Sequence, residues 1–180
     1  MGDAPQHGGA RRYVSGLNGH RLDQTEIVEY IKDTLPGVDI VVASEETGAP
    51  EIAWGDTFFS YDPKNDMPPD RRMPFATIVT KDYGDFDRFS NLDRDGVFRL
   101  SIGVGLETYR TLFGQPPAAP PPGEPAATGH DFAALDAVMP HPVYGPMSWI
   151  CVLSPSEKTF EELKPLLAEA HRLAQRRSAT

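Results

Sequence analysis

The stretch PFATIVTKDYGDFDRFSNLDRDGVFRLSIGV, from Pro74 to Val104, predicts two strands that are joined by a charged loop. PFATIVTK is apolar on both faces, which favours a central strand. VFRLSIGV alternates, so that Phe98 and Leu100 share one face and Arg99 points to the other. Two strands in succession without a helix between them indicate an antiparallel sheet.

Three further segments read as strands on either side of this pair. They are VDIVVAS (38–44), DTFFSYD (56–62) and SWICVLS (148–154). Each is short and rich in β-branched or aromatic residues, which suit a pleated and partly buried surface. The sequence therefore predicts a sheet of about five strands.

Helical patterns flank and interrupt the strands. DQTEIVEYIKDTLPG (23–37) predicts an N-terminal helix, in which Asp23 and Glu26 have the spacing of a capping box. LETYRTLFG (106–114) and HDFAALDAVMP (130–140) predict two short middle helices.

A final helix is predicted from Thr159, and Pro165 should kink or restart it. Together these elements predict an α+β fold, with a single domain over residues 23–177. Residues 1–22 are glycine-rich and predict a flexible N-terminal extension. Residues 115–129 are proline-rich and predict a mobile insertion within the domain.

Charge and composition limit the class of partner. The 180 residues carry a net charge of −9, and the first 22 contribute +2, so the remainder carries −11. Such an acidic body repels a phosphate backbone and disfavours nucleic acid. The apolar runs are too short for a membrane span. Cys151 is the single cysteine and no leader is visible, which favours a reducing cytoplasm.

The charged loop is the first candidate site. Its aspartates and cations alternate along the chain: Lys81, Asp82, Asp85, Asp87, Arg88, Arg94 and Arg99. The default interpretation is a mutually neutralising network of ion pairs. If the loop folds back over the sheet, Lys81 and Arg99 become partly buried and need carboxylate partners. We therefore predict that Lys81 and Arg99 bind an anion or carbonyl, with Asp82 or Asp87 as the catalytic carboxylate.

Neither a metal nor a cofactor is predicted. The run from Asn91 to Gly96 matches the start of a calcium loop, but Ile102 stands where that loop needs a glutamate. The sequence contains no phosphate-binding glycine loop, no dinucleotide fingerprint and no zinc spacing.

The second candidate site is MPHPVYGPMSW (139–149). His141 lies between two prolines, which hold its backbone extended and suit a positioned acid or base. A structural histidine that bonds a backbone carbonyl is the alternative. Tyr83, Tyr144, Trp149 and Tyr61 are the aromatic residues that we expect to shape a pocket.

Two long segments resemble a family of bacterial proteins of unknown function, over residues 25 to 176 apart from the insertion. They are GDTFFSYDP…PFATIVTKDYGDFDRFSNLDRDGVFRLSIGV and MPHPVYGPMSWICVLSPSEKTFEELKPLLAEAHRLAQRR. The order of EIVEYIKDTLPGV, FRLSIGV, SWICVL and FEELKPLLAEAHRLA also resembles, more distantly, the MmcQ/YjbR-like superfamily. That resemblance implies a DNA-binding fold with paired wings, a role from which the acidic body departs.

The leading functional hypothesis is a small-molecule site between the sheet and its loops. The protein would bind a metabolite or, as a cofactor-independent enzyme of isomerase, cyclase, lyase or hydrolase type, catalyse acid–base chemistry. Nucleic-acid binding is the first alternative. A non-catalytic interaction or immunity-type protein is the second, and it requires an exposed apolar patch.

Overall fold

The computed structural model describes residues 19–180, and the flexible extension predicted for residues 1–22 lies almost wholly outside this range. Six strands form one antiparallel sheet in the order β1-β2-β3-β4-β6-β5. They are β1 (Val38–Val42), β2 (Thr57–Tyr61), β3 (Ala76–Val79), β4 (Arg99–Gly103), β5 (Met139–Pro140) and β6 (Trp149–Leu153). The predicted α+β fold is confirmed, and β3 is central as its apolar pattern predicted.

Three α-helices accompany the sheet in the described range: α1 (Gln24–Thr34), α2 (Leu106–Phe113) and α3 (Glu157–Ser178). The predicted capping box of α1 is formed, because Asp23 and Glu26 each accept the backbone N–H of the other, at 2.9 and 2.8 Å. α3 begins earlier than predicted, since Ser156 rather than Thr159 caps it. It continues through Pro165 without a restart.

The middle helix predicted over residues 130–140 is wrong. Asp131 accepts the N–H of Ala133 at 3.0 Å in a local turn. Asp136 adopts a positive φ of 59° and uses its carboxylate for the N–H of Ser156 at 2.6 Å. Aspartates that bond nearby or distant backbone groups compete with helical hydrogen bonding. The segment instead turns twice and ends in the short edge strand β5.

The two faces of the sheet are covered differently. α1 and α3 pack on one face and bury a continuous apolar core, whose main members are Ile27, Ile31, Phe59, Ile78, Leu100, Ile102, Ile150, Val152, Phe160, Leu163 and Leu167. The alternate residues, among them the cross-strand neighbours Phe58, Thr77 and Ser101, point to the opposite face. Loops cover that face, and the candidate site lies beneath them.

The proline-rich segment 115–129 contacts one of these loops. The N–H of Ala126 donates to the carbonyl of Pro142 at 2.7 Å, and Ala126 is buried. The segment therefore braces the loop that carries His141, and its predicted mobility stays a prediction. Within residues 19–180, no helix is both long enough and apolar enough to cross a bilayer.

Candidate functional site

A cavity of about 540 Å³ lies between the loop-covered face of the sheet and its loops. Its wall is mostly apolar, with a few polar groups at the sheet. The lining residues are Ala49, Pro50, Ala53, Phe58, Met73, Pro74, Thr77, Val79, Tyr83, Phe86, Asp87, Arg99, Ser101, His141, Tyr144, Met147 and Trp149. A concave and largely apolar site with a few convergent polar groups is typical of small-molecule binding.

Six of the nine predicted site residues line this cavity: Tyr83, Asp87, Arg99, His141, Tyr144 and Trp149. They come from the charged loop, from β4, from the loop between β5 and β6, and from the first residue of β6. The antiparallel pairing of β4 with β6 brings these segments together. The two candidate stretches of the sequence therefore meet at one place.

Tyr61, Lys81 and Asp82 lie outside the cavity wall. Tyr61 points to the helix-covered face, where its ring packs 5.5 Å from that of His171. The ammonium group of Lys81 donates to the backbone carbonyl of Trp54. Asp82 accepts the N–H of Leu92 at 2.9 Å and so holds the charged loop in shape. These contacts give Lys81 and Asp82 loop-stabilising roles in place of a direct contact with the cavity.

Arg99 and Asp87 form a buried ion pair at the cavity wall. Two guanidinium nitrogens of Arg99, Nη1 and Nη2, donate to the two carboxylate oxygens of Asp87 at 3.1 and 2.5 Å. Nη1 also donates to Ser90 Oγ at 2.9 Å. Burial alone would lower the pKa of Arg99, but the hydrogen bonds and charge of Asp87 raise it above its ordinary value. Arg99 is therefore charged, and its charge is neutralised by direct contact with Asp87.

The other cations of the loop are bound in two ways. Arg88 pairs with Asp85 at 3.1 Å on the surface. Arg94 instead donates to backbone carbonyls, those of Asn91 at 2.7 Å and Ala133 at 2.9 Å. The network is thus part ion pairing and part backbone binding.

His141 has one ring nitrogen occupied by its own loop. Nδ1 accepts the backbone N–H groups of Val143 and Tyr144, at 3.1 and 3.0 Å. Because an acceptor nitrogen carries no proton, the neutral ring holds its proton on Nε2. Burial, aided by the positive charge of Arg99, lowers the pKa of His141 well below 6.5. At neutral pH the side chain is therefore an uncharged hydrogen-bond donor in the cavity wall.

This lowered pKa predicts a loss of stability in mild acid. The unfolded chain protonates His141 near pH 6.5 whereas the folded chain does not, so stability falls as the pH drops below that value. Between about pH 7.5 and about pH 5.5, we expect His141 to account for a loss of about 1 kcal/mol in the free energy of unfolding. Urea denaturation at both pH values measures it.

The matched control is His141→Asn, because the asparagine Oδ1 can replace Nδ1 as the acceptor of the loop N–H groups. This variant should lose the His141 part of the pH dependence. An unchanged dependence in His141→Asn would contradict the lowered pKa.

Two further titratable groups near the cavity are held uncharged. Burial raises the pKa of the Tyr144 phenol, the negative charge of Asp87 adds to the effect and Arg99 partly offsets it. Burial also raises the pKa of the Cys151 thiol to about 12. Cys151 therefore behaves as a buried small side chain rather than a nucleophile. In the described part of the chain, no group of three or more His, Cys, Asp or Glu side chains is arranged to hold a metal ion.

The family model for DUF6194, described as a family of unknown function, matches residues 22–180. The chain belongs to this family. No curated protein and no solved structure shows a significant match. The resemblance to an uncharacterised family is therefore confirmed.

Asp56 is a site-supporting residue of this DUF6194 protein that sequence analysis placed only at the start of the predicted strand 56–62. It is fully buried, and its Oδ1 accepts the N–H and the hydroxyl of Thr80 at 2.8 and 2.9 Å. Its Oδ2 accepts the hydroxyl of Tyr83. Burial, then the hydrogen bond to Asp56, raise the pKa of that phenol. The sequence feature that could have revealed this role is the position of Asp56 directly before a buried, alternating strand.

Met73, Phe86 and Met147 form an apolar rim at the cavity mouth, where 66%, 56% and 62% of each residue is exposed. Phe86 lies at the tip of a tight turn closed by the N–H of Tyr83 donating to the carbonyl of Asp87 at 2.8 Å. Sequence reasoning missed all three, because an apolar residue in a loop has no periodic pattern that shows which way it points.

Proposed function

We propose that this protein binds a small, largely apolar molecule in the cavity beneath its loops. The observation that carries the proposal is the convergence of the two candidate stretches on one cavity of about 540 Å³. Its apolar wall continues into the exposed rim of Met73, Phe86 and Met147, which offers an apolar ligand an entrance. Burying such a ligand gains free energy in proportion to the apolar area removed from water.

Binding is better supported than acid–base catalysis of isomerase, cyclase, lyase or hydrolase type. Such chemistry needs a proton acceptor that can reach the substrate. Both carboxylate oxygens of Asp87 already accept from Arg99, and the unprotonated nitrogen of His141 faces its own loop. These two groups therefore serve better to hold a ligand than to move its protons.

A distant relationship to the MmcQ/YjbR-like superfamily and a cytoplasmic location are also part of the proposal. The order of helix, strands, tryptophan-bearing strand and closing helix supports the first. The single free cysteine supports the second. We do not extend the proposal to the DNA-binding role that the superfamily resemblance implies, because the net charge of −9 opposes it.

Filling the cavity should weaken ligand binding without unfolding the protein. Thr77 lies on β3, faces the cavity and neighbours Phe58 across the strands, so Thr77→Phe adds a ring inside the cavity at a position that favours aromatic residues. We expect the affinity for propylbenzene, an apolar probe, to fall at least about tenfold. An amide NMR titration measures the affinity.

Val42→Phe is the matched control. Val42 is exposed on the edge strand β1 and pairs with Thr57, on the face away from the cavity. It should leave the affinity for propylbenzene unchanged. Binding that is equal in both variants would overturn the proposed function.

A further inference from the structure

Two polar atoms at the sheet side of the cavity have no hydrogen-bond partner among the described residues. They are Arg99 Nε and Ser101 Oγ, and both are buried. Arg99 and Ser101 are two residues apart on β4, so their side chains leave the same face of the sheet. A buried donor that lacks an acceptor is costly, and such atoms are rare in folded proteins. This pair marks a place where an acceptor is missing.

His141 adds a third donor to the same wall. Its Nδ1 is occupied by the N–H groups of Val143 and Tyr144, which leaves the proton on Nε2. Within residues 19–180 we find no hydrogen bond from Nε2. The wall therefore presents two N–H donors and one hydroxyl.

The electrostatic balance of the wall favours an uncharged acceptor. Arg99 is already neutralised by the two-pronged contact with Asp87, and His141 is neutral. A carboxylate placed here would lose its hydration without gaining an unpaired cation, and it would lie close to the negative charge of Asp87. An uncharged carbonyl oxygen avoids both penalties and has two lone pairs to accept with.

Resting on the proposed function, we infer that the ligand is an apolar molecule bearing an uncharged carbonyl oxygen, such as a ketone, ester or amide, which accepts from His141 Nε2 and the Ser101 hydroxyl. This assigns both residues as specificity-determining contacts. The apolar remainder of the ligand extends toward the rim formed by Met73, Phe86 and Met147.

A matched set of three probes tests this assignment. Propiophenone and propylbenzene share one carbon skeleton and differ by a carbonyl in place of a methylene group, and phenylacetate carries a carboxylate. We measure the affinity of each by amide NMR titration for the unmodified protein, Ser101→Ala and His141→Asn. The ratio of ketone to hydrocarbon affinity isolates the carbonyl contact from general apolar binding.

We expect this ratio to fall by about fivefold to tenfold in each variant, which is the contribution of one hydrogen bond in a buried site. The unmodified protein should also bind propiophenone at least about tenfold more tightly than phenylacetate. Ser101→Ala should fold normally, because its hydroxyl has no partner to lose. Ser60→Ala, a buried strand serine outside the cavity wall, should leave the ratio unchanged.

The outcomes separate the two proposals. If propylbenzene binds but neither Ser101→Ala nor His141→Asn changes the ratio, the carbonyl assignment is wrong and the proposed function stands. Tighter binding of phenylacetate than of propiophenone would also refute the uncharged acceptor. If none of the three probes binds, the proposed function fails and the assignment fails with it.

Discussion

Replacing Asp87 by asparagine is expected to lower the free energy of unfolding by about 3 kcal/mol or more, because a buried charge is left unpaired. Arg99 is only 2% exposed, and Asp87 supplies two of the three acceptors of its guanidinium group. Asparagine keeps the size and one acceptor oxygen but removes the negative charge. Urea denaturation of the variant and the unmodified protein measures the change.

Asp85→Asn is the control, since Asp85 lies two residues earlier and pairs with Arg88 on the surface. An exposed pair contributes little, so this change should stay within about 0.5 kcal/mol. Equal effects of the two substitutions would show that burial does not determine how much the Arg99–Asp87 ion pair contributes to stability. The structural account of the charged loop would then be wrong.

A double replacement tests whether the ion pair of Arg99 with Asp87 is needed for the stability of the fold. Arg99→Met with Asp87→Leu exchanges the ions for apolar side chains of similar volume, a change that is often neutral or stabilising in a folded interior. Recovery of stability in the double variant would indicate that the fold does not require the ion pair. The role of the pair would then be to make the cavity wall polar.

The fold could be predicted where local pattern and tertiary packing agree. In β4 the alternation of Leu100 with Arg99 and Ser101 sends the apolar side chains to the helices and the polar ones to the loops. Residues 130–140 lacked such agreement. Their apolar spacing resembles a helix, but Asp136 bonds to Ser156, twenty residues away, and no local pattern reveals that partner.

The candidate site was predictable only in part, for a related reason. Arg99 lies on a strand, so its direction follows from alternation, and a buried cation must find a carboxylate. Sequence left two choices, Asp82 and Asp87, because both lie in the same loop. The conformation of that loop decides between them: Asp82 turns to the N–H of Leu92, and Asp87 turns to Arg99.

Replacing Asp56 by alanine is expected to be as damaging as the loss of Asp87, although Asp56 does not line the cavity. The change leaves three donors unpaired, the N–H and hydroxyl of Thr80 and the hydroxyl of Tyr83. We expect a loss of about 3 kcal/mol or more, measured by urea denaturation, because each of these donors, half-buried at the site of the lost carboxylate, carries its own penalty when unpaired. Tyr83 lines the cavity, so the affinity for propylbenzene should fall as well.

Tyr83→Phe separates the contribution of the Tyr83 hydroxyl from that of Thr80, since it removes one hydroxyl and keeps the ring. It should cost about 1 kcal/mol, well below Asp56→Ala, because Asp56 still binds Thr80. Equally mild effects of both substitutions would mean that the charged loop is held by the packing of Leu92 and Val79 rather than by Asp56. A large loss of probe binding in Asp56→Ala alone would instead show that Asp56 shapes the cavity by anchoring the strand end that leads into the loop.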